Sequence, residues 1–385
     1  MADRVHRRVP PWRRLLTVGL LALSISGILA ALAGPEAAAS LALDPVGLVT
    51  APSSSGVTGV AFSPDGTLLA SGYGDGLLRL WELATGQVHG PVLRAGPDAV
   101  GGVAFNPSGS MVAAAYGNGT IGLWNPATGQ PARPPLQAGS GVTGVAFSPD
   151  GKLLASAQAD GAIGLWYPAT GQQARPPLQA GSAVNGVAFT PDGELLASAQ
   201  ADGTVRLWDL ATGQLSGSPL QAGSAVNGVA FSPNGSLVAA AGADGTVRLW
   251  NPATGQPAGS PLQAGSAVNG VAFSPDGKLL AAAGADGVIR VWDPATGQSA
   301  GSPLQAGSAV NGLAFSPDGK QLASADADGT VKVWNTAVSW PASPGVNWTI
   351  LIASGIAIAL AAVAVALTAR AIRQARSGDA SSGRK

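Results

Sequence analysis

A tryptophan returns along this chain at an almost fixed interval. Seven of the ten tryptophans, Trp81, Trp124, Trp166, Trp208, Trp250, Trp292 and Trp334, are spaced by 43 residues once and by 42 five times. Nineteen residues before each stands a phenylalanine: Phe62, Phe105, Phe147, Phe189, Phe231, Phe273 and Phe315. One structural unit is therefore written seven times. A unit of this length has too little core to stand alone, so it must bury its apolar faces against its neighbours.

The unit from Val184 to Gln214, VNGVAFTPDGELLASAQADGTVRLWDLATGQ, shows what that block is. Three apolar runs, VNGVAF, LLASAQ and TVRLW, are each closed by turn residues, PDG, ADG and D-L-A-T-G-Q. Runs of strand length bounded by Pro, Gly and Asp read as strands and hairpins. They are too short and too often interrupted for helices. A fourth segment, GSPLQ, carries a proline, which cannot donate to a ladder and so belongs on an edge. We name the four strands a, b, c and d, with d outermost. The inner runs barely alternate between apolar and polar, as expected of a sheet packed on both faces. A period near 42 with one tryptophan per unit is the signature of propeller blades. The expected fold is all-β: a seven-bladed β-propeller of four-stranded blades over residues 46–340, with the seven tryptophans as its structural repeat positions.

With V-x-x-V-A-F-S-P-D-G, L-L-A-S and D-G-T-V-R-L-W-D recurring in every unit, the chain resembles the WD-repeat family over about three quarters of its length. The resemblance implies a rigid seven-bladed binding platform. Two departures stand out. The family's Gly-His pair before strand a is replaced by LQAGSAV, without histidine. The strand-b serine is kept at Ser71, Ser156, Ser198 and Ser324 but is alanine at Ala114, Ala240 and Ala282. Both departures predict blades without the family's buried polar network, held by apolar packing alone. The aspartate of the b–c turn is kept at Asp75, Asp160, Asp202, Asp244, Asp286 and Asp328, with Asn118 as the exception.

The flanks differ from the repeats. Residues 1–33 join five arginines to an uncharged run, Leu15 to Ala33, and read as a signal peptide or an N-terminal membrane anchor. Residues 34–45 are an Ala/Pro/Gly-rich linker. Residues 346–369 contain twenty uncharged residues, Trp348 to Leu367, and are predicted to form a transmembrane helix, followed by a basic tail over 370–385. Basic flanks at both apolar segments place both ends in the cytoplasm and the propeller outside. The last unit lacks a strand d, while VGLVT at 46–50 precedes the first unit. These residues are expected to supply the missing outer strand and close the ring. An Ala, Gly and Pro bias with 16 arginines to 5 lysines suggests a bacterial source with a GC-rich genome.

The propeller holds eleven bases against seventeen acids, a net charge of −6, which argues against nucleic-acid binding. The chain has no cysteine, so disulfides, thiolate metal sites and thiol nucleophiles are excluded. His89 is the only histidine in the repeats and is expected to be a solvated side chain on an outer strand. Asp-Ala-Asp-Gly at 326–329 has the start of a calcium loop without its distal glutamate. No phosphate loop, nucleophile elbow or zinc motif is present, and neither a cofactor nor a metal is expected. If the strands alternate in direction, the d–a and b–c loops share one face. That face is the candidate binding face, a near-symmetric ring of Gln137, Gln179, Gln221, Gln263 and Gln305 beside Asp160, Asp202, Asp244, Asp286 and Asp328. The expected protein is a monomeric, membrane-anchored, non-enzymatic propeller in the bacterial cell membrane that binds protein partners. A channel-based small-ligand binder or propeller enzyme, and a passive surface spacer, are the alternatives.

Overall fold

Twenty-eight strands form seven separate four-stranded antiparallel sheets in the computed structural model, which describes residues 47–50 and 55–336. Blades 1 to 7 run over residues 57–88, 100–137, 142–179, 184–221, 226–263, 268–305 and 310–335. The readings of 1–33, 34–45, 346–369 and 370–385 fall outside the described residues. Among the described residues no helix is long and apolar enough to cross a membrane.

Blade 4 shows how the sequence builds the sheet. Strand a is Val184–Phe189, b Leu195–Gln200, c Thr204–Asp209 and d Leu220–Gln221. In the a–b turn, Asp192 Oδ1 accepts the Glu194 amide at 3.0 Å and Thr190 Oγ1 accepts the Leu195 amide at 3.0 Å. In the b–c turn, Asp202 Oδ1 accepts the Thr204 amide at 3.0 Å and its hydroxyl at 2.7 Å. Gly203 follows at φ +86°, a conformation that side chains resist, and a Cβ there would lie 3.0 Å from the Ser224 carbonyl oxygen. Strand d is shorter than the sequence suggested. Only Leu220 and Gln221 pair regularly with strand c, and a lone bridge joins Leu215 to Trp208. Between them lie Gly217 at φ +82° and Pro219, which interrupt the outer edge.

The core lies between blades. Trp208 packs with Ile163, Leu165 and Leu178 of blade 3 and with Val184 and Leu196 of its own blade. Trp250 does the same against Val205, Leu207 and Leu220 of blade 4. Each of the seven tryptophans is 1–6 % exposed. Alanines on strand b, such as Ala155 and Ala157, let adjacent sheets approach around the large ring.

The expectation that the blades lack a buried polar network is corrected. Where strand b keeps serine, its hydroxyl accepts the tryptophan Nε1–H: Trp81 to Ser71 at 2.7 Å, Trp166 to Ser156 at 3.0 Å, Trp208 to Ser198 at 2.9 Å and Trp334 to Ser324 at 3.2 Å. In blade 4 the chain of bonds continues from Gln200 Nε2 to Ser198 and from the Thr204 hydroxyl to Gln200 Oε1. A glutamine thus carries the network from the strand-b serine to the first residue of strand c. Blade 2 has Ala114 in place of the serine, and Tyr116 instead stands edge-on to Trp124, ring centroids 6.3 Å apart. In blades 5 and 6 the serine and glutamine are replaced together, by Ala240 with Gly242 and by Ala282 with Gly284. Those two blades follow the apolar expectation.

Closure follows the sequence reading. Gly47–Thr50 pairs antiparallel with strand c of blade 7, with Gly47 opposite Val333 and Thr50 opposite Thr330. A second closure device was not anticipated. Strand a carries a bulge at its second residue in every blade, between Val184 and Gly186 in blade 4. In blades 4 to 7 the residue there is an asparagine that turns toward the next blade. Asn185 Nδ2 donates to Val226 O at 2.8 Å, Asn227 to Val268 O and Asn269 to Val310 O at 2.9 Å, and Asn311 to Val57 O at 2.7 Å. The last of these joins blade 7 to blade 1.

Ser198→Ala is expected to cost about 1–3 kcal/mol, because it strands the buried Trp208 N–H. Asn311→Ala is expected to cost about 1 kcal/mol through loss of the bond that closes the ring. Chemical unfolding of the full chain measures both. An unchanged midpoint for either variant would remove that bond from the account.

Candidate interaction surface

The d–a loops and b–c turns meet at one end of the ring because of register. Thr204, first in strand c, is opposite Gln221, last in strand d. The same pairing sets Thr120 opposite Gln137, Ala162 opposite Gln179, Thr246 opposite Gln263 and Val288 opposite Gln305. Each candidate glutamine therefore sits beside the b–c turn of its own blade. All ten candidate residues are exposed. Blades 3 to 6 carry both members of the pair. Blade 2 has Asn118 in place of the aspartate, blade 1 has Arg94 in place of the glutamine, and in blade 7 Thr50 takes the glutamine's register position opposite Thr330. The near-symmetric ring of the sequence reading is thus broken over three consecutive blades, 7, 1 and 2.

The aspartates are engaged in holding their turns. Oδ1 of Asp160, Asp202, Asp244, Asp286 and Asp328 each accepts the amide two residues on, at 3.0–3.1 Å. In blades 4 to 7 the other oxygen faces a base on strand c. Asp202 lies 3.4 Å from Arg206, Asp244 2.9 Å from Arg248, Asp286 2.9 Å from Arg290 and Asp328 3.7 Å from Lys332. Burial pushes the carboxyls of Asp244 and Asp286 up, but the facing guanidinium and the neighbouring hydroxyl and amide donors outweigh it and hold both below the ordinary value. For Asp328 the Thr330 hydroxyl and amide and the Lys332 ammonium likewise outweigh burial. Blade 3 differs. Four residues after Asp160 stands Gly164, so no guanidinium is placed there.

The glutamines are less committed. Gln137, Gln221 and Gln263 donate weakly to the carbonyls of Pro135, Pro219 and Pro261 at 3.3–3.4 Å. The face therefore offers primary amides and half-neutralised carboxylates on a rigid frame, a surface suited to hydrogen bonding rather than proton transfer. Among the described residues no group of three or more His, Asp or Glu side chains could hold a metal ion. At 326–329 the place of a cation is taken by Lys332, whose Nζ is 2.6 Å from the fully buried Asp326. His89 is not the solvated side chain expected: it is partly buried, and its Nδ1 is 3.0 Å from Glu82 Oε1.

The seven strands a form the inner ring of the propeller. A Cβ placed on the glycine at their third residue would meet the Cα of the equivalent glycine in the next blade at 3.2–3.7 Å, from Gly59 against Gly102 round to Gly312 against Gly59. The asparagine bonds lie beside this ring. Sequence reasoning passed over these asparagines, although their recurrence in VNG in four successive units was the available signal.

The opposite end carries the a–b turns. Asp150 there is held down at about 2 by the Ser148 hydroxyl first and the Lys152 amide next. Asp65, Asp192 and Asp318 are lowered in the same manner, the turn hydroxyl contributing most. A folded-state pKa below the unfolded value contributes stability above the unfolded pKa that is lost as pH falls through the folded one. The melting temperature is therefore expected to fall between the ordinary carboxyl value of 3.8 and about 2. Blade 5 already uses Asn234 in this turn, accepting the Ser232 hydroxyl at 2.8 Å and the Ser236 amide at 3.1 Å. Asp150→Asn should keep the turn and shrink the acid loss. Thermal melts of both proteins from pH 2 to 6 decide it, and identical acid profiles would refute the assignment.

The family model described as "IFT122 first beta-propeller" matches residues 53–266, more than half of the chain, and the model described as "WD domain, G-beta repeat" matches residues 259–293 and 301–335. A search of the curated proteins gives no match.

Proposed function

The chain belongs to the WD-repeat β-propeller family, and from that premise we propose that it is a membrane-anchored, extracytoplasmic interaction platform that binds protein partners through its d–a and b–c loops. The family fold is a typical protein-interaction scaffold.

One observation carries the reading. Gly47 is opposite Val333 and Thr50 is opposite Thr330, so the closing strand begins at the a–b-turn end of blade 7. The chain leaves at that same end: the Thr336 amide donates to Lys320 O at 2.9 Å and its hydroxyl to Gly319 O at 2.6 Å. Apolar segments flank the propeller in the sequence, Leu15 to Ala33 before it and Trp348 to Leu367 after it, each with arginines on its outer side. Two tethers attached at one end of a rigid ring turn that end to the membrane. The Gln/Asp end then looks away from it. The basic flanks put the bilayer's cytoplasmic side with the tails and the propeller outside.

The absence of cysteine makes the topology directly testable. In intact cells a membrane-impermeant maleimide is expected to label Gln179→Cys, and to label Arg373→Cys only after lysis. The reverse pattern would overturn the orientation. A photo-crosslinking residue at position 179 is expected to capture a discrete protein that one at the exposed Lys152 of the same blade does not. Equal capture at both positions would refute the assigned face.

A further inference from the structure

At the rim of the ring, between consecutive blades, runs a groove. One wall is the segment leading into strand d, and the other is the c–d turn of the next blade. The chain fills three of these grooves itself. Between blades 1 and 2, Pro91 lies 2.5 Å from where a Cβ on the turn glycine Gly129 would stand. Between blades 2 and 3, Arg133 Nη2 donates to Ala169 O, and its Nη1 is 3.1 Å from the Cβ position of Gly171. Between blades 3 and 4, Arg175 Nη1 donates to Leu210 O at 2.8 Å, and its Cζ is 2.6 Å from the Cβ position of Gly213. Twice, then, a guanidinium rests on the turn glycine and hydrogen-bonds to a turn carbonyl.

The next two grooves keep the c–d turn, but the wall leading into strand d changes from Ala-Arg-Pro-Pro in blades 2 and 3 to Ser-Gly-Ser-Pro in blade 4 and Ala-Gly-Ser-Pro in blade 5. One repeat of 42 residues carries Arg133 onto Arg175, Arg175 onto Gly217, and Gly217 onto Gly259. The turns are unchanged: the amides of Gly171, Gly213, Gly255 and Gly297 donate to the carbonyls of Tyr167, Asp209, Asn251 and Asp293 at 2.7–2.8 Å. Pro252 and Pro294 hold the place of Leu210. A Cβ on Gly255 would meet Leu220 Cδ2 at 3.6 Å, and one on Gly297 would meet Leu262 Cδ2 at 3.4 Å, with no guanidinium in reach of either. The result is two open grooves, of about 470 Å³ beside Trp250 and about 710 Å³ beside Trp292.

We infer that these two grooves are sockets for an arginine side chain presented by an extended segment of a protein partner. The occupant is named by the chain's own Arg133 and Arg175, which show a guanidinium satisfied by this turn. A guanidinium is weakly hydrated and planar, so it can leave water for a cleft that offers carbonyl acceptors, where an ammonium would keep its water. The net charge of −6 favours a cationic segment. Volumes of this size hold the side chain together with residues on either side of it. The inference rests on the reading of the propeller as an interaction platform, and it is independent of which end faces the membrane.

The test is isothermal titration of the full chain in detergent with acetyl-Ala-Arg-Pro-Pro-amide, the sequence of residues 174–177, and with its citrulline and lysine counterparts. Two equivalents per chain are expected, with at least tenfold weaker binding of both counterparts. Replacing Leu215–Pro219 by the sequence of Gln173–Pro177 is expected to plug one groove and remove one equivalent. Arg175→Ala is expected to open a further groove and add one, which keeps the test decisive should the graft not fold. Absence of binding, equal affinity for the citrulline peptide, or a stoichiometry that neither variant changes would overturn the sockets. Capture at position 179 alongside a failed titration would overturn the sockets alone and leave the platform standing.

Discussion

Everything in this protein depends on the contact between one blade and the next. A four-stranded sheet of Val, Leu and Ala is apolar on both faces, and neither face can be left to water. The tryptophan of each strand c meets this need by filling the cleft against the preceding blade, where it packs on the branched residues of strands c and d. At roughly 25 cal/mol per Å² of apolar surface removed from water, side chains of this size dominate such an interface. Because every blade needs two neighbours, the array has no natural end except a ring. The closing strand at residues 47–50, the Asn311 bond to Val57 and the packing of Trp81 against Val331 and Val333 of blade 7 make the ring complete.

The polar interior varies from blade to blade without disturbing this apolar frame. Serine comes with glutamine in blades 3 and 4, alanine with glycine in blades 5 and 6, and tyrosine stands at the glutamine position in blades 1 and 2. In blades 3 to 6 the two positions change together for a physical reason. A buried hydroxyl or amide left unpaired is costly, so its partner must change with it. In blade 5 the freed space is occupied: a Cβ on Gly242 would lie 2.5 Å from Asp244 Oδ1. In blade 7 the same position carries Asp326, which needs Lys332 at 2.6 Å to be tolerated.

Near-identical repeats make their few differences informative. The exposed aspartates of blades 4 to 7 are paired with Arg or Lys and spent on turns, which leaves the glutamines as the freer donors on that face. At the rim, the change from Ala-Arg-Pro at 174–176 to Ser-Gly-Ser at 216–218, which removes the arginine, separates filled grooves from open ones. Surface ion pairs contribute little to stability. Variation at these positions therefore reshapes the surface with little cost to the fold.

The sequence by itself determined the number of blades, the strands within each, the turn residues and the origin of the closing strand. These are local properties. A tryptophan period, a proline on an edge or a glycine in a turn acts within a few residues or repeats at a constant spacing. It also assigned the ten candidate residues to one end, because strand alternation alone decides which loops share a face. Only the tertiary structure decided what those side chains are doing. Asp244 faces Arg248, His89 faces Glu82, and Lys332 reaches Asp326 through the sheet register and the course of the chain. It alone revealed that Asn185 bonds to Val226 and that Arg175 bonds to Leu210 of the next blade. Those partners are 41 and 35 residues apart, and what joins them is the distance between two packed sheets, which no spacing along the chain encodes.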